Sequence, residues 1–308
     1  MARVVLIINP RARRNRTQAG RIDEQRRIVE SHGGRVIITE SVEHLHATLV
    51  QTVQAGDFDV LALSGGDGSL HSGITTLRRA ALPIPPILFV PSGTMNMLGI
   101  SLELAGNLHL LKQVCASAPE ALDRQSRDLM SINGTYWGFL FGTGLAANFL
   151  TEYYVRGKDG GFTVAAAVVR DIVISSVKRT PLARNLIRSR PTRVITDGVE
   201  APLTGTSVTL VQTIENLALG FAPMYRALEQ PGTFHCIATD LSAAELVNRL
   251  PFIYSGQPWN HPKVHDVLAR DLVLEFDGEV NYQVDGEIYT GGPRLHVTCD
   301  GFVQFITG

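Results

Sequence analysis

A glycine-rich segment that directly follows an apolar run constrains this chain more than any other feature. The run is Val60–Leu63, which is typical of a buried strand, and Ser64–Ser69 (SGGDGS) comes straight after it. Its three glycines within four residues let the backbone approach a ligand closely. A helical stretch follows, so backbone N–H groups and a helix N-terminus are expected to converge here and hold phosphate. An ordinary tight turn with Asp67 as the helix N-cap is the alternative.

A second loop of this kind follows the apolar run Ile87–Val90 and reads Pro91–Asn96 (PSGTMN). Thr94 offers a hydroxyl and Asn96 an amide to phosphate or nucleotide, although Thr94 alone would also suit a helix N-cap. Because the carboxyl ends of parallel strands share one edge of a sheet, the two loops are predicted to lie near each other. The first strand ends in Asn9-Pro10-Arg11 and the second in Thr39, and both ends are expected at the same edge.

Strand and helix patterns alternate over roughly the first 115 residues and predict repeated βα units in a parallel, Rossmann-like layer. The pattern changes near Pro119–Asp128, after which short strands flank the hairpin signals Asn133-Gly134 and Asp197-Gly198. We therefore predict an α/β domain over residues 1–127, joined by the last strands at about 294–308, and a mainly antiparallel β domain over residues 128–293.

Composition limits the class of protein. The 308 residues are 44% hydrophobic, which argues against disorder, and a net charge of −1 argues against a globally basic nucleic-acid binder. The three cysteines are far apart and form no metal pair, so a reducing cytoplasmic compartment is expected. No run approaches the ~18 apolar residues that a membrane-spanning helix needs.

Together, Asn9-Pro10, Gly65–Ser69 and Pro91–Asn96 resemble the diacylglycerol kinase catalytic-domain family, which includes bacterial lipid kinases and the sphingosine and ceramide kinases. The second half carries sparser matches in the expected order: Phe141–Ala146, Gly220–Pro223 and Val284–Glu287. The resemblance implies a phosphofructokinase-like nucleotide domain and a second, β-sandwich domain. It also implies an ATP-dependent kinase with Mg²⁺ that transfers the γ-phosphate to the hydroxyl of diacylglycerol or a related lipid.

The same resemblance assigns roles to residues. Asp67, Asp285 and Glu287 are the expected catalytic residues, and Asp285 or Glu287 is the general base at the active cleft. Asp67 and Asp285 are also candidate metal ligands. A hairpin turn with solvent-facing acids is the alternative for residues 285–287. The residues expected to bind the nucleotide are Asn9, Pro10, Arg11, Thr39, Gly65, Gly66, Asp67, Gly68, Ser69, Gly93, Thr94 and Asn96.

Some positions depart from the family pattern. Ser69 keeps the hydroxyl of the usual threonine, but Ser72 replaces a glutamate, and Met97 stands where an aspartate is common. An acidic pair that serves a structural Mg²⁺ in bacterial members is replaced by Glu229–Gly232 (EQPG), so that second metal site is not expected. These departures suggest one alternative, a catalytically weak nucleotide- or lipid-binding protein, although Asp285 and Glu287 are retained. A second alternative is an NAD kinase-like or phosphofructokinase-like metabolite kinase, which would share the first loop but not Pro91–Asn96.

A basic segment suits the lipid side of such a reaction. Residues 178–193 hold six positive charges and no acid, and Leu182, Leu186 and Ile187 are interleaved with them. We predict transient docking of this segment on an anionic membrane, against the alternative of a solvated loop. A nucleic-acid partner is not expected, and a homodimer is possible. The six cations are Lys178, Arg179, Arg184, Arg188, Arg190 and Arg193.

Overall fold

The chain divides into two compact units in the computed structural model, which describes residues 1–104, 106, 108–157 and 161–308. The first unit comprises Met1–Arg127 and Phe302–Gly308, and the second comprises Asp128–Gly301. The last strand, expected in the first unit from about residue 294, enters that unit at Phe302.

The first unit is a parallel sheet with helices between its strands. Its strands run in the order β2–β1–β3–β4, and the end of the last strand of the chain continues the sheet through Phe305 beside Ile87. The strands are β1 (Val4–Ile8), β2 (Arg35–Ile38), β3 (Val60–Gly65) and β4 (Ile87–Pro91). The helices are α1 (Arg13–Thr17), α2 (Arg21–Glu30), α3 (Val42–Ala55), α4 (Asp67–Arg79), α5 (Met97–Ser101) and α6 (His109–Ala116).

Apolar runs explain this sheet, because every residue of β1, β3 and β4 is buried. Local signals set the helix ends: the Ser41 hydroxyl accepts from His44 N–H where α3 begins, and Gly56 ends that helix in the left-handed region. The prediction of a Rossmann-like α/β layer is confirmed. The sequence patterns did not predict α1, which lies in the arginine-rich segment after β1.

The second unit contains the remaining elements of the described chain. The strands are β5 (Arg124–Ile132), β6 (Tyr136–Gly138), β7 (Leu140–Gly144), β8 (Arg190–Thr196), β9 (Val199–Glu200), β10 (Gly205–Thr206), β11 (Val208–Gln212), β12 (Phe234–Thr239), β13 (Val264–Ala269), β14 (Asp271–Phe276), β15 (Val280–Val284), β16 (Glu287–Gly291) and β17 (Arg294–Ile306). The helices are α7 (Leu145–Val155), α8 (Phe162–Lys178), α9 (Pro181–Leu186) and α10 (Ala243–Tyr254). β5 begins, and β17 ends, in the first unit.

Two antiparallel layers share one core in this unit, so the prediction of a β-sandwich is confirmed. One layer has the order β13–β12–β11–β7–β15–β16, and the other contains β10–β8–β14–β17. Phe141 and Val211 from the first layer pack in one cluster with Leu272 and Leu295 from the second.

Helices cover the other face of the six-stranded layer, where Leu210 and Ile237 cluster with Val168 of α8 and Leu246 of α10. The two predicted hairpins are present as β5–β6 and β8–β9. The patterns missed α7 and α9. Across the described ranges, no helix combines the length and the apolar content that crossing a membrane requires.

Candidate nucleotide site and acidic turn

The first glycine loop turns directly from β3 into α4. Gly66 lies in an extended conformation, and α4 begins at Asp67. A Cβ on Gly65 would lie 2.6 Å from Ser69 Oγ, so glycine is required for Ser69 to pack over the end of the strand. The Asn9 side-chain amide donates to Ser69 Oγ at 2.9 Å, which ties the end of β1 to the first turn of α4. Two contacts therefore hold the loop before α4: Ser69 packs on Gly65, and Asn9 hydrogen-bonds Ser69. The unpaired N-terminal amides of a helix such as α4 attract anions.

The two glycine loops, predicted to lie near each other, are in direct backbone contact. A Cβ on Gly93 would lie 2.5 Å from Gly66 Cα, and one on Gly66 would lie 3.0 Å from Gly93 Cα. Neither glycine has a positive φ, so the absence of a side chain, rather than an unusual backbone angle, is what these positions require. The missing side chains let the two loops touch, and the predicted approach of a ligand to these glycines stays a prediction.

Asn96 shapes the second loop. Its backbone is left-handed (φ 52°), its side chain is buried, and both of its amide atoms are engaged by Gly93. Oδ1 accepts from Gly93 N–H at 2.9 Å, and Nδ2 donates to Gly93 O at 3.0 Å. The amide that the sequence suggested for the nucleotide thus closes its own loop, whereas Thr94 is half-buried at the tip.

The sequence patterns did not predict the buried polar network that lies beneath the loops. The hydroxyls of Ser64 and Ser92 lie 3.2 Å apart, and Asn15 Nδ2 donates to Ser64 Oγ at 3.1 Å. Gln25 Nε2 donates to Asn15 Oδ1 at 3.1 Å, and Gln25 is fully buried. The sequence offered one signal for this network, because Ser64 and Ser92 come just after the two apolar runs. The network joins α1 and α2 to the carboxyl ends of β3 and β4 and supports both loops.

The remaining predicted nucleotide residues differ in exposure. Thr39 is buried, and its hydroxyl donates to Ile8 O at 3.1 Å, so it fastens β2 to β1. Pro10 is half-buried and Arg11 is exposed, and Arg11 N–H donates to Asn9 Oδ1 at 2.9 Å. Within Asn9–Arg11, Arg11 is therefore the exposed residue, and it is the one that carries a charge.

The acidic motif of the second unit is the two-residue turn between β15 and β16. Asp285 and Gly286 both have positive φ, at 47° and 90°. Asp285 Oδ1 accepts from the backbone N–H groups of Phe139 and Leu140 at 3.0 and 2.9 Å, so this carboxylate clamps the turn to the β6–β7 junction. Glu287, the next acid, is exposed. The hairpin alternative is therefore correct for the backbone, and the two acids have separate environments.

Residues 3–126 match the family model described as the diacylglycerol kinase catalytic domain. This segment is therefore similar to the diacylglycerol kinase catalytic-domain family. Over 257 residues the chain is 21% identical to a curated Staphylococcus epidermidis protein named "Putative lipid kinase", covering 82% of this chain and 78% of that protein. A match to a diacylglycerol kinase structure from Bacillus anthracis covers 99% of this chain and 97% of the Bacillus chain. The TM-score is 0.71 and the sequence identity is 15%, which shows that the fold is shared.

Where the matched family usually has a glutamate, this chain has Ser72 on α4. Ser72 Oγ lies 2.6 Å from Nε2 of His46 on α3. Burial lowers the pKa of His46 below its ordinary value, with Glu43 opposing and Arg79 assisting the shift. The contact is therefore between a hydroxyl and a neutral imidazole, and it fastens α4 to α3 without a carboxylate.

The segment that replaces the acidic pair of bacterial members is held by ordinary protein contacts. Glu229 accepts from Arg226 Nε at 2.8 Å, and Gly232 N–H donates to Asp128 Oδ2 at 2.8 Å. Among the residues that the structure describes, no group of three or more His, Cys, Asp or Glu side chains is arranged to hold a metal ion. Asp67, half-buried at the start of α4, remains a carboxylate suited to Mg²⁺, which binds through one or two carboxylates plus substrate phosphates.

Proposed function

We propose that this protein is an ATP-dependent lipid kinase that transfers the γ-phosphate to the hydroxyl of diacylglycerol or a related lipid. The observation that carries the proposal is the contact between two glycine loops at the carboxyl ends of adjacent parallel strands, within the segment that matches the kinase family. The lipid-kinase name of the Staphylococcus epidermidis relative and the fold shared with the Bacillus anthracis diacylglycerol kinase support the same reaction class.

The loops and the N-terminus of α4 would hold the nucleotide phosphates through backbone N–H groups. Thr94 and Arg11 would supply a hydroxyl and a guanidinium to the same anion, since an arginine suits phosphate oxygens. Mg²⁺, when bound, neutralises charge on the phosphates, and Asp67 is the carboxylate that would hold it. Catalysis of phosphoryl transfer is mostly positioning and charge stabilisation, which suits a site built from rigid backbone.

Glu287 is the better candidate for the general base. One oxygen of Asp285 already accepts two backbone N–H groups, and Oδ2 faces Gly138, where a Cβ would overlap it. The carboxylate of Glu287 is exposed and has no hydrogen bond or ion pair with any described residue. A base must reach the hydroxyl whose proton it takes, so the uncommitted carboxylate fits that role. Asp285 would then hold the turn on which Glu287 is carried.

A γ-phosphate transfer assay tests the proposal. The protein, Mg²⁺ and labelled ATP are incubated with a panel of mono- and diacylglycerols, sphingosine and ceramide, with NAD and fructose 6-phosphate in parallel. We expect label in a lipid product. Transfer only to NAD or fructose 6-phosphate would replace the proposal with a metabolite kinase.

A catalytically weak binding protein remains the second candidate because Ser72 replaces a family glutamate on α4. In the same assay, ATP binding by calorimetry without transfer to any acceptor would favour this candidate. A Ser72→Glu variant that then gained transfer would identify the missing carboxylate as the cause.

We further propose that the enzyme meets its substrate through a docking face on α8 and α9, which pack against each other. We define this face by six exposed residues: Ile174, Val177, Lys178, Arg179, Arg184 and Arg188. Val177 is 75% exposed at the end of α8, beside Lys178 and Arg179. In the described chain, none of the four cations has an ion pair. Apolar and basic side chains together suit an anionic bilayer surface.

This face differs from the segment predicted by the sequence. Leu186 and Ile187 are buried in the cluster beneath the helices and cannot enter a membrane. Arg190 pairs with Asp277 at 2.9 Å, and Arg193 pairs with Glu200 and Glu275. Neighbouring acidic side chains therefore pair with both arginines. The exposed apolar residues of the docking face are Ile174 and Val177 of α8, in place of Leu186 and Ile187.

Co-sedimentation with phosphatidylglycerol-containing vesicles tests the docking face. We expect reversal of its four cations to glutamate to reduce bound protein at least tenfold, because each cation near such a surface contributes up to about 1 kcal/mol. Reversal of four other exposed arginines, Arg26, Arg124, Arg270 and Arg294, is the charge-matched control. Equal losses in the two variants would show that only net charge matters and would remove the docking face from the proposal.

A further inference from the structure

The turn that carries Glu287 is held by different groups on its two residues. Asp285 is fixed to the sheet by its own N–H, which donates to Leu140 O at 2.9 Å, and by its carboxylate. Gly286 has no side chain, and its N–H donates to Gln283 Oε1 at 3.1 Å. The carbonyl of Gly286 belongs to the peptide unit that leads into Glu287, a residue that also pairs with Val284 of β15. A partner of that carbonyl therefore adds a constraint on the peptide beside Glu287.

That partner is Tyr154, whose hydroxyl donates to Gly286 O. Tyr154 lies at the end of α7, with its ring 5.4 Å from that of the buried Tyr153. Tyr154 is 37% exposed, and a phenylalanine would keep its ring while removing only the hydroxyl. The hydroxyl therefore makes a specific connection between α7 and the turn, in addition to the contacts of the ring.

We infer that Tyr154 is a positioning residue for phosphoryl transfer: its hydroxyl fixes the Gly286–Glu287 peptide and thereby the direction of the Glu287 carboxylate. The inference rests on the proposed role of Glu287 as the base. A misplacement of about 1 Å in a reacting group lowers the rate strongly while leaving a distant binding step unchanged. Loss of the Tyr154 hydroxyl should therefore reduce turnover and leave ATP binding intact.

The Tyr154→Phe variant tests this inference. We expect kcat for lipid phosphorylation to fall about tenfold with the KM for ATP unchanged, which is the signature of a lost transition-state interaction. Tyr254→Phe is the matched control, because Tyr254 is a 57% exposed tyrosine of the same unit with no hydrogen bond to its hydroxyl in the described chain. Thermal unfolding of all three proteins identifies a variant that has lost activity by unfolding.

Amide hydrogen exchange of the peptide spanning residues 280–291 gives a readout that needs no activity. We expect exchange at Gly286 and Glu287 to be faster in Tyr154→Phe than in the wild type, and unchanged in Tyr254→Phe. Unchanged exchange in Tyr154→Phe overturns the inference even if the protein is an active kinase. Faster exchange with an unchanged kcat also overturns it, because the connection would then have no catalytic effect. An inactive wild type with faster exchange in the variant refutes the proposed function and keeps the structural connection.

Discussion

The glycine loops of the first unit and the acidic turn of the second unit depend on side chains in opposite ways. In the loops, Gly66 and Gly93 matter because they have no side chain, so the two backbones can touch. In the turn, the backbone needs only positive φ at two residues, and the two carboxylates lie in different environments. The loops thus depend on the absence of side chains, whereas the turn depends on the chemistry of its carboxylates.

This contrast separates two kinds of functional loss. A change in the loops should act on nucleotide affinity, because it moves the groups that would cradle phosphate. A change in the turn should act on turnover, because it moves or removes a carboxylate without touching the loops. The following experiments test whether affinity and turnover can be separated in this way, beginning with the largest expected effect.

Gly93→Ala should cause the largest loss of ATP affinity. Its Cβ would lie 2.5 Å from Gly66 Cα and 2.9 Å from Asn96 Oδ1, so both loops must shift. Calorimetric titration with ATP should show at least a hundredfold weaker affinity, and thermal unfolding should show a lower Tm.

Gly292→Ala is the control for that substitution, because a Cβ there meets nothing within 4 Å and its φ is ordinary. Normal ATP affinity in Gly93→Ala would mean that ATP binding does not depend on the close contact between Gly66 and Gly93.

Glu287→Gln should lower kcat by about a hundredfold or more and leave the KM for ATP near its wild-type value, since the general base is lost while the loops are intact. Steady-state kinetics with a lipid acceptor gives both constants. Glu279→Gln, an exposed acid that precedes β15, is the matched control. A rise in the KM for ATP with unchanged kcat would assign Glu287 to nucleotide binding instead.

Substitutions of Asp285 should separate its clamp from any catalytic role. Asp285→Asn keeps an oxygen for the N–H groups of Phe139 and Leu140, whereas Asp285→Ala leaves both without their acceptor. We expect Asp285→Ala to lower the free energy of unfolding by about 3 kcal/mol and Asp285→Asn by about 1 kcal/mol. Denaturant unfolding measures both. If Asp285→Asn lowers kcat as much as Glu287→Gln, Asp285 rather than Glu287 becomes the candidate base.

The Ser72–His46 contact should give the smallest effect, seen as a pH dependence of stability. Because burial holds the pKa of His46 below its unfolded value, the neutral form is favoured in the folded state. Its contribution to stability is complete above the ordinary histidine pKa of about 6.5 and is lost as pH falls through the lower folded value. His46→Gln should flatten the loss of Tm between pH 7 and pH 5. An identical pH profile in the variant would place the acid sensitivity elsewhere.

The parallel sheet, and the edge where its strands end, could be predicted because buried strands such as Val60–Leu63 have continuous apolar sequences. The hairpins at Asn133-Gly134 and Asp197-Gly198 could be predicted because their turns need left-handed residues. Helix α7 could not, since Leu145–Val155 follows a strand without a polar break and its hydrophobic residues show little helical periodicity. Helix α9 is only six residues long and gives too short a pattern.

The positions of the candidate residues followed from strand ends, but their partners did not. Nothing in the order of residues indicates that Asn96 hydrogen-bonds Gly93, or that one oxygen of Asp285 accepts two amides. Such contacts depend on the conformation of each loop and on pairing between segments far apart in the chain. Leu186 and Ile187 illustrate the same limit, because a mixed apolar and basic pattern does not tell which side chains face inward.

The course of the last strand affects the order of folding during synthesis. Phe305 pairs with Ile87, and residues Phe302–Gly308 complete the first unit, yet the ribosome makes them after all of the second unit. The sheet that would hold the nucleotide must therefore wait, with the outer edge of β4 unpaired, for more than 200 residues between those two partners. An exposed strand edge invites pairing with other chains, so a nascent or truncated protein that lacks residues 302–308 should be prone to aggregate.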